Sequence, residues 1–379
     1  MKKILHITNW YPNAWNDLEG IFIKEQYKVF SEITDSHLIN VQVRNGKKLI
    51  EYKHIKYSEN EEGYYLLTKI KSNKIIELLT TFLLLWALIK TNYKKYDLLH
   101  IHIAYPLLAY YFIWKKFIKL PIIISEHWSA YHFNFYMPKE SKKLDGIKRI
   151  FKQGIPLITV STALKLDIEN FANVESIPSI VIPNIINFQQ NTYKNDNVKN
   201  NIPTFFIVNI WTDIKNPFPL LEGFLKLSKS GEMFHLKIGG DGTLLPKMKQ
   251  FVYDNGLEKQ ITFLGRMNKE EIKNTYCISD AYLFASKYET FSVVSAEALC
   301  HGIPLIGPKI PAILEYTRKK DIIIIDEDTT NSWVQGLSSF IEKKETYNQE
   351  EISQYYCSYF SIEKIQNNYK EFIWSTVND

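Results

Sequence analysis

The chain has 379 residues, 45% of them hydrophobic and 14% aromatic, so it is long enough for two domains with full cores. Its net charge of +5 is compatible with a phosphorylated ligand or a membrane surface, but it is too weak to indicate a nucleic-acid-binding protein. Its three cysteines lack Cys-x-x-Cys spacing, which argues against a zinc site and for a reducing compartment.

Alternating short apolar runs and helical patterns in the first half predict a parallel α/β sheet. Strands are expected at 3–8, 37–43, 63–70, 97–103, 121–127, 156–161 and 179–184, and helices at 21–30, 75–89, 107–119 and 162–171. The basic residues between the second and third strands are interpreted as a solvated connection. Ser161 is expected to cap the helix that follows it.

Two positions in this half lie where a strand meets its loop, a usual place for ligand contacts in α/β sheets. Gly20 ends a turn-rich loop and would let the backbone approach a phosphate, although a plain turn explains one glycine as well. His127 is placed to bond a sugar or acceptor hydroxyl, or only local partners. His100 and His102 fall inside a strand, where packing is the simpler interpretation.

The segment 187–201 is polar and rich in asparagine, which is typical of a linker. Beyond it, strands are expected at 205–209, 235–239, 261–264, 281–286, 304–307 and 321–325. We therefore predict two doubly wound, Rossmann-like domains, 1–186 and 202–360, that face each other across a cleft. Residues 361–379 are expected to form a helix that packs back on the first domain.

Two glutamates mark the stretch from Ser286 to Gly307, which predicts strand, loop, helix and strand. Glu289 lies in the loop and Glu297 on the helix, placed to bond sugar hydroxyls and a ribose diol respectively. The free amides at the helix start would suit a diphosphate, and they belong to Thr290, Phe291, Ser292 and Val293. Helix-start stabilisation and solvent exposure would explain two isolated glutamates equally well.

Three further strand ends in the second half carry candidate ligand contacts. Lys215 follows the first strand, where its ammonium could reach a phosphate. The run Gly239-Gly-Asp-Gly242 ends the second strand, and Arg266 follows the third. The glycine run has no Lys-Ser/Thr successor, so it is not a P-loop.

From Ile4 to about Ile373 the sequence resembles the retaining glycosyltransferases of family 4, which have the GT-B fold. The most specific string is Glu289-Thr-Phe-(x4)-Ala-Glu297-Ala-Leu-Cys-His-Gly302-Ile-Pro304. Supporting strings are Val160-Ser161, Val181-Ile-Pro-Asn184, Gly239-Gly-Asp-Gly242 and Phe263-Leu-Gly-Arg266.

The resemblance implies a nucleotide-sugar donor in the second domain and a glycan or lipid-linked acceptor in the first, in cell-surface polysaccharide synthesis. By position, Lys215 would hold the diphosphate, Glu289 the donor sugar and Glu297 the ribose. A UDP-sugar is favoured over a GDP-sugar on family frequency alone. No metal or other cofactor is expected, because the lysine and the helix amides would supply the countercharge.

The resemblance also implies roles for residues at other strand ends. Gly20 would approach the diphosphate, and His127 would lie beside the sugar and the acceptor. Gly240 and Arg266 would lie near the nucleotide base.

The sequence departs from the family at two positions. Ile210 stands where the family usually has an arginine, about five residues before its lysine, and Ser292 stands where it usually has a glycine. The missing arginine keeps a catalytically inactive glycan-binding relative of the same fold open as an alternative, and a sugar-nucleotide epimerase is a second alternative.

A contact with membranes is a further expectation. The apolar run after Lys2 and Lys3 is too short for a signal peptide, and the longest apolar segment, 78–89, is shorter than the roughly 20 residues that cross a bilayer. We therefore expect a cytoplasmic protein, or one bound peripherally at the inner face of the cell membrane. Lysines interleaved with aromatic residues suggest docking on anionic lipid, or merely solvated helix faces: Lys90, Tyr93, Lys94, Lys95, Tyr96, Trp114, Lys115, Lys116, Phe117 and Lys119.

Overall fold

A computed structural model describes residues 1–138, 141–186 and 202–378, which form two compact units. Unit 1 combines Met1–Ile185 with the carboxyl-terminal segment from Ile362, and unit 2 spans Ile186–Ser361. The predicted linker 187–201 lies outside the described residues.

The strands of unit 1 are β1 (Lys3–Thr8), β2 (Asp35–Asn45), β3 (Glu51–Lys56), β4 (Glu61–Thr68), β5 (Leu98–His102), β6 (Ile122–Glu126), β7 (Leu157–Thr159) and β8 (Ser179–Val181). Those of unit 2 are β9 (Thr204–Ile210), β10 (His235–Asp241), β11 (Ile261–Gly265), β12 (Ala281–Leu283), β13 (Leu305–Pro308) and β14 (Ile322–Ile325).

The helices alternate with the strands along the chain. They are α1 (Ile21–Ser31), α2 (Asn73–Lys90), α3 (Tyr111–Trp114), α4 (Lys142–Phe151), α5 (Thr162–Ala172), α6 (Pro217–Lys229), α7 (Leu245–Asp254), α8 (Lys269–Cys277), α9 (Val293–Cys300), α10 (Pro311–Leu314), α11 (Thr330–Lys343), α12 (Gln349–Tyr359) and α13 (Ile362–Asn378).

Each unit contains one sheet. In unit 1 the strand order is β3-β4-β2-β1-β5-β6-β7-β8, and every pair is parallel except the antiparallel pair β3–β4. In unit 2 the order is β11-β10-β9-β12-β13-β14, with all pairs parallel. The alternating strands and helices therefore build the predicted α/β sheets.

The sequence correctly predicts the buried strand β1 and the cap of helix α5. Residues 4–8 of β1 are all buried, as expected for an inner parallel strand. Ser161 caps α5, because its Oγ accepts a hydrogen bond from the Leu164 amide at 3.1 Å.

Two local predictions are wrong. The supposed solvated connection contains β3, an edge strand whose mostly exposed, charged residues hide it from a hydrophobicity pattern. The helix expected at 107–119 is reduced to the four residues of α3, and the segment before α3 forms turns, with the Leu108 amide bonded to the Ala104 carbonyl.

Helix α13 supplies part of the core of unit 1. The Tyr369 ring stacks on Phe30 with ring centroids 3.6 Å apart, and its hydroxyl lies 2.9 Å from Nδ1 of His100. The Gln366 side chain donates to the Val29 carbonyl at 3.0 Å. The end of the chain is thus joined to its beginning through α1 and β5.

Three histidines form a fully buried cluster on β1 and β5. Nδ1 of His6 lies 3.0 Å from Nε2 of His102, and Nε2 of His100 lies 2.7 Å from the Ser125 hydroxyl. Among the described residues this is the group whose possible metal ligands converge, to within 4.8 Å. Because five of the six ring nitrogens already bond one another or neighbouring hydroxyls, Nδ1 of His102 being the exception among the described residues, we interpret the cluster as packed core.

Burial makes this cluster sensitive to acid. It lowers the pKa of His6 to about 3, and it lowers the pKa values of His100 and His102 well below the ordinary histidine value. Below pH 6.5 the histidines bind protons in the unfolded chain but not in the folded cluster. The free energy of unfolding therefore falls as the pH drops towards 3. For each histidine, the loss in the free energy of unfolding approaches about 1.4 kcal/mol per pH unit.

We predict that lowering the pH from 7 to 5 destabilises unit 1 more than unit 2. Each unit also buries one glutamate with a raised pKa, Glu126 and Glu297, which favours folding at lower pH similarly in both. Hydrogen exchange followed by mass spectrometry, corrected for intrinsic rates, should show a larger loss of protection in β1 and β5 than in β9 and β12. Equal losses in the two units would contradict the prediction.

Candidate functional site

The sheet of unit 2 has a switch point between β9 and β12. From β9 the chain moves outward through β10 and β11, and it then crosses to β12 on the other side of β9. The loops after β9 and β12 therefore diverge from the same edge of the sheet, which is where open α/β sheets bind ligands.

Lys215 and Glu289 meet beside this switch point. Lys215 ends a 3₁₀ turn after β9, and its Nζ lies 2.5 Å from Oε1 of Glu289 in the loop after β12. The Ser286 hydroxyl donates to the same carboxylate oxygen at 2.6 Å. The Lys287 amide donates to the Ile214 carbonyl at 2.8 Å, which also joins the two loops. Two side chains that are 74 positions apart are thus brought into direct contact.

The loop that leads into α9 is anchored by Phe291. Its side chain is buried against Tyr316 and Phe360, with ring centroids 5.2 and 5.9 Å away, and its carbonyl accepts from the Tyr316 hydroxyl at 3.2 Å. This packing fixes the start of the helix, so that the amides at Thr290 and Val293 belong to an ordered turn.

Ser292 occupies the left-handed backbone region immediately before α9, with φ 69°. Glycine adopts this conformation freely, whereas for serine it carries a strain on the order of 1 kcal/mol. The Ser292 hydroxyl lies 2.8 Å from that of Ser295. Although serine stands here where the family usually has glycine, the backbone keeps the conformation that glycine favours.

Glu297 lies one turn into α9 and is partly buried. The Tyr276 hydroxyl donates to the Val294 carbonyl at 2.8 Å and lies 3.5 Å from Oε2 of Glu297. Burial raises the pKa of Glu297 to about 7, against smaller lowering effects from Lys269 and Tyr276. A desolvated carboxyl beside a helix start is a common feature of functional sites.

Gly240 and Arg266 lie at neighbouring strand ends. Gly240 has φ 99°, and a Cβ there would lie 1.8 Å from the Asn209 carbonyl oxygen. The close approach of β9 and β10 thus explains the glycine. Arg266 follows β11, the edge strand two positions from β9, and is exposed. Roles for both in nucleotide binding stay proposals.

Ile210 ends β9 with 71% of its surface exposed. An exposed apolar side chain therefore lies at the strand end that precedes Lys215. A cation is missing there relative to the usual family pattern.

Gly20 and His127 belong to unit 1. Gly20 has φ 60° and precedes α1, and a Cβ on it would lie 2.3 Å from the Trp10 carbonyl oxygen, so a tight turn by itself requires glycine. His127 is buried beside Phe22, and burial lowers its pKa to about 3. Within the described part of the chain, neither of its ring nitrogens has a partner at hydrogen-bond geometry, although Asn184 is near enough to raise the pKa slightly.

Glu126 is a buried residue beside His127 and, like His127, lies where a strand meets its loop, at the end of β6. Its Oε1 accepts from the Ala104 amide at 2.7 Å and from the Tyr131 hydroxyl at 2.6 Å, and burial raises its pKa to about 7. It holds the loops after β5 and β6 together. A carboxylate at the end of an apolar strand is the signal that pointed to it.

Two family models match this chain. The model described as Glycosyltransferase Family 4 matches residues 57–190, and the model described as Glycosyl transferases group 1 matches residues 189–354. Together they span most of the sequence, and the chain belongs to the family 4 glycosyltransferases.

Similar proteins of known name include two synthases. Mannosylfructose-phosphate synthase of Agrobacterium fabrum is 30% identical over 95 residues, which span 23% of this chain and only 21% of the relative. N-acetyl-alpha-D-glucosaminyl L-malate synthase of Bacillus anthracis is 22% identical over 301 residues, 76% of each chain.

Solved structures confirm the fold class. Sucrose-phosphate synthase from Thermosynechococcus elongatus has a TM-score of 0.72 and 13% identity, over 99% of this chain and 100% of that one. Anabaena HepE, in complex with UDP and glucose, has a TM-score of 0.72 and 14% identity, again over 99% of this chain and 100% of the other. The chain has the GT-B fold of these proteins.

We predict that Gly240→Ala lowers the free energy of unfolding by about 3 kcal/mol or more, since it adds both a clash and a strained backbone. Gly256→Ala is the matched control, because Gly256 also has positive φ but open space around its Cβ position. The control should lose only about 1 kcal/mol. Urea unfolding measures both variants, and equal losses would contradict the close approach at Gly240.

Proposed function

We propose that this chain transfers a sugar from a nucleoside-diphosphate sugar, most favourably a UDP-sugar, to a hydroxyl of a glycan or lipid-linked acceptor, with retention of the anomeric configuration. The observation that carries the proposal is the contact between Lys215 and Glu289 at the switch point of unit 2, beside the start of α9. We assign the donor to this site.

The related structures and names support a nucleotide-sugar donor. HepE has been solved with UDP and glucose and also with UDP-glucose. A further relative, alpha-monoglucosyldiacylglycerol synthase of Acholeplasma laidlawii, is 24% identical over 57% of this chain. Its name indicates a lipid product, which supports a lipid-linked acceptor as one of the two acceptor classes.

In the proposed reaction the bond between the anomeric carbon and the phosphate oxygen breaks, and its electron pair stays on the departing diphosphate. The acceptor oxygen bonds the anomeric carbon on the same face, and the acceptor proton passes to the diphosphate. Lys215 and the amides that open α9 stabilise the growing negative charge. Because the protein supplies this countercharge, the proposed step uses no metal.

The carboxylates of Glu289 and Glu297 then bind different parts of the donor. Glu289, held by Lys215 and Ser286, accepts from hydroxyls of the transferred sugar. Glu297, one turn into α9, accepts from the ribose diol, and its deprotonated form is the stronger acceptor. The raised pKa of Glu297 therefore makes donor affinity increase as the pH rises through about 7.

The other predicted residues receive roles that follow their positions. His127 remains neutral because burial lowers its pKa, and its unpartnered nitrogens bond hydroxyls of sugar or acceptor. Gly20 brings backbone to the diphosphate, while Gly240 and Arg266 border the base.

Lys215→Ala and Glu297→Ala should each weaken UDP binding by about 10 to 100-fold, the size expected when a charged partner of a ligand is lost. Lys229→Ala is the matched control, since Lys229 is an exposed lysine on α6 of the same unit. Isothermal titration with UDP measures all three. Wild-type affinity in both site variants would overturn the assignment of the donor site.

We further propose that α2 rests on an anionic membrane. Five large apolar side chains lie on its exposed face at spacings of three or four residues, which places them on one stripe, and each is between 42% and 67% exposed: Ile75, Leu78, Phe82, Trp86 and Ile89. The opposite face packs on the sheet through Leu84 and Leu88. Helix α2 is therefore apolar on both faces, as a helix that contacts two apolar environments should be.

The charges around this stripe fit anionic lipid. The segment 71–95 contains five lysines and one carboxylate, Glu77, which is bonded to the Tyr105 hydroxyl at 2.5 Å. Lys90 lies over the Trp86 ring, 4.7 Å from its centroid. A second copy of the chain would bring like charges together, whereas lipid phosphates would neutralise them.

The structure changes which residues form the predicted membrane surface. Trp114 and Tyr96 are buried, so neither can reach lipid, while Phe117 is 74% exposed. None of the helices within residues 1–138, 141–186 and 202–378 has the length and apolar character for crossing a bilayer. The proposed contact is therefore with the surface of the membrane.

We predict that the protein floats with vesicles of phosphatidylcholine and phosphatidylglycerol but not with phosphatidylcholine alone. Introducing Phe82→Asp and Trp86→Asp together should abolish flotation, because two carboxylates would enter the apolar stripe. Tyr253→Ser is the control, since Tyr253 is 69% exposed on α7, which belongs to unit 2. Flotation that survives the double substitution would refute α2 as the docking surface.

A further inference from the structure

A pocket of about 370 Å³ lies in unit 1 at the ends of β2 and β4. Its size falls within the roughly 300–1,000 Å³ of small-molecule sites. Its lining combines apolar and polar side chains: Trp15, Val43, Arg44, Asn45, Thr68, Ile70 and Ile76. None of these residues belongs to the donor site proposed above.

Arg44 is held in place within the wall of this pocket. Its Nε donates to Gln42 at 2.5 Å, and its Nη2 pairs with Glu19. Its Cζ lies 5.3 Å from the centroid of the Trp15 ring. A guanidinium has five N–H donors in a rigid fork, so a group fixed in this way can still offer donors to a ligand.

Two of the chain segments that flank the pocket are strongly basic. The flanking segments 44–53 and 68–74 carry seven basic side chains and one carboxylate, Glu51. Lys53 lies 6.0 Å from the Trp15 ring centroid and shares Glu51 with Lys48, at 3.7 Å from each lysine. The excess of positive charge attracts an anion even though Glu19 balances part of the charge of Arg44.

The apolar part of the wall provides a second recognition element. Trp15 is 44% exposed, and its ring is held edge-on by Tyr65 with centroids 5.0 Å apart. Ile70 and Ile76 complete the apolar side. Sugar rings present apolar C–H faces and polar edges, so a wall of this kind beside Arg44 and Asn45 suits a saccharide better than a bare anion.

We propose that this pocket binds an anionic saccharide, with the negative group on Arg44 and the sugar ring against Trp15 and the two isoleucines. The interpretation of this saccharide as part of the acceptor rests on the glycosyltransferase function proposed above. Binding itself requires no donor. The acceptor class is therefore a glycan that carries a phosphate or carboxylate group.

The test is ligand-observed saturation-transfer NMR on the whole chain without donor. The probes are glucose 6-phosphate and methyl α-D-glucoside, which are observed directly, and inorganic phosphate, which has no carbon-bound protons and is therefore titrated as a competitor of glucose 6-phosphate. We expect glucose 6-phosphate to bind at least tenfold more tightly than either other probe. Arg44→Gln should remove its advantage over the neutral glucoside, and Trp15→Ala should weaken both saccharides. If inorganic phosphate binds as tightly as glucose 6-phosphate, the saccharide assignment is overturned.

Two further variants make the test independent of folding defects at Arg44. Asn45→Asp adds a negative charge to the exposed rim and keeps the Arg44 side chain itself, and it should reduce the preference for glucose 6-phosphate several-fold. Lys152→Gln removes an exposed cation elsewhere in unit 1 and should change nothing. An unchanged preference in Asn45→Asp would overturn the proposal. Failure of the chain to bind UDP would instead count against the donor site alone.

Discussion

The proposed donor site depends on one charge contact between the loops that diverge at the switch point of the sheet in unit 2. Lys215 and Glu289 come from the two crossovers that diverge between β9 and β12, and they touch at 2.5 Å. Lys215 ends a short 3₁₀ turn and Glu289 lies in a loop, so their contact depends on the strand order of unit 2 and on the hydrogen bond between Lys287 and Ile214 that joins the two loops. Phe291, packed against Tyr316, then sets the start of α9 beside this pair.

The two units differ in where their polar groups lie and in what these groups bond. In unit 1 the histidines of β1 and β5 are kept neutral by burial, and all of their ring nitrogens except Nδ1 of His102 bond one another or hydroxyls, one of which Tyr369 brings from α13. In unit 2 the polar groups gather at the strand ends, where Lys215 and Glu289 stay partly accessible. Polar groups inside a sheet must satisfy each other, whereas those at its edge remain available to a ligand.

Much of the fold could be predicted from the sequence because inner parallel strands are rich in apolar residues. The strand β1 and the cap Ser161 were both predicted at their observed positions. The edge strand β3 could not be found, because exposed strands carry charges like any loop. The exposed stripe of α2 was also missed, since a helix that is apolar on both faces has no amphipathic pattern to reveal its outer side.

The candidate site was predicted as single residues, and the structure adds their geometry. Sequence spacing cannot show that Lys215 and Glu289 touch, because their contact depends on which strands are neighbours. It also cannot show that Ser292 keeps a left-handed backbone, or that Gly240 is required by the Asn209 carbonyl. These features depend on tertiary contacts between loops, which leave no periodic pattern in the sequence.

The most direct measurement of the central claim is a crystal structure of this chain with UDP. We predict that a phosphate oxygen lies within hydrogen-bond distance of Nζ of Lys215 and of an amide at the start of α9, and that the ribose hydroxyls bond Glu297. A complex in which UDP binds elsewhere on unit 2, with Lys215 still paired only with Glu289, would contradict it.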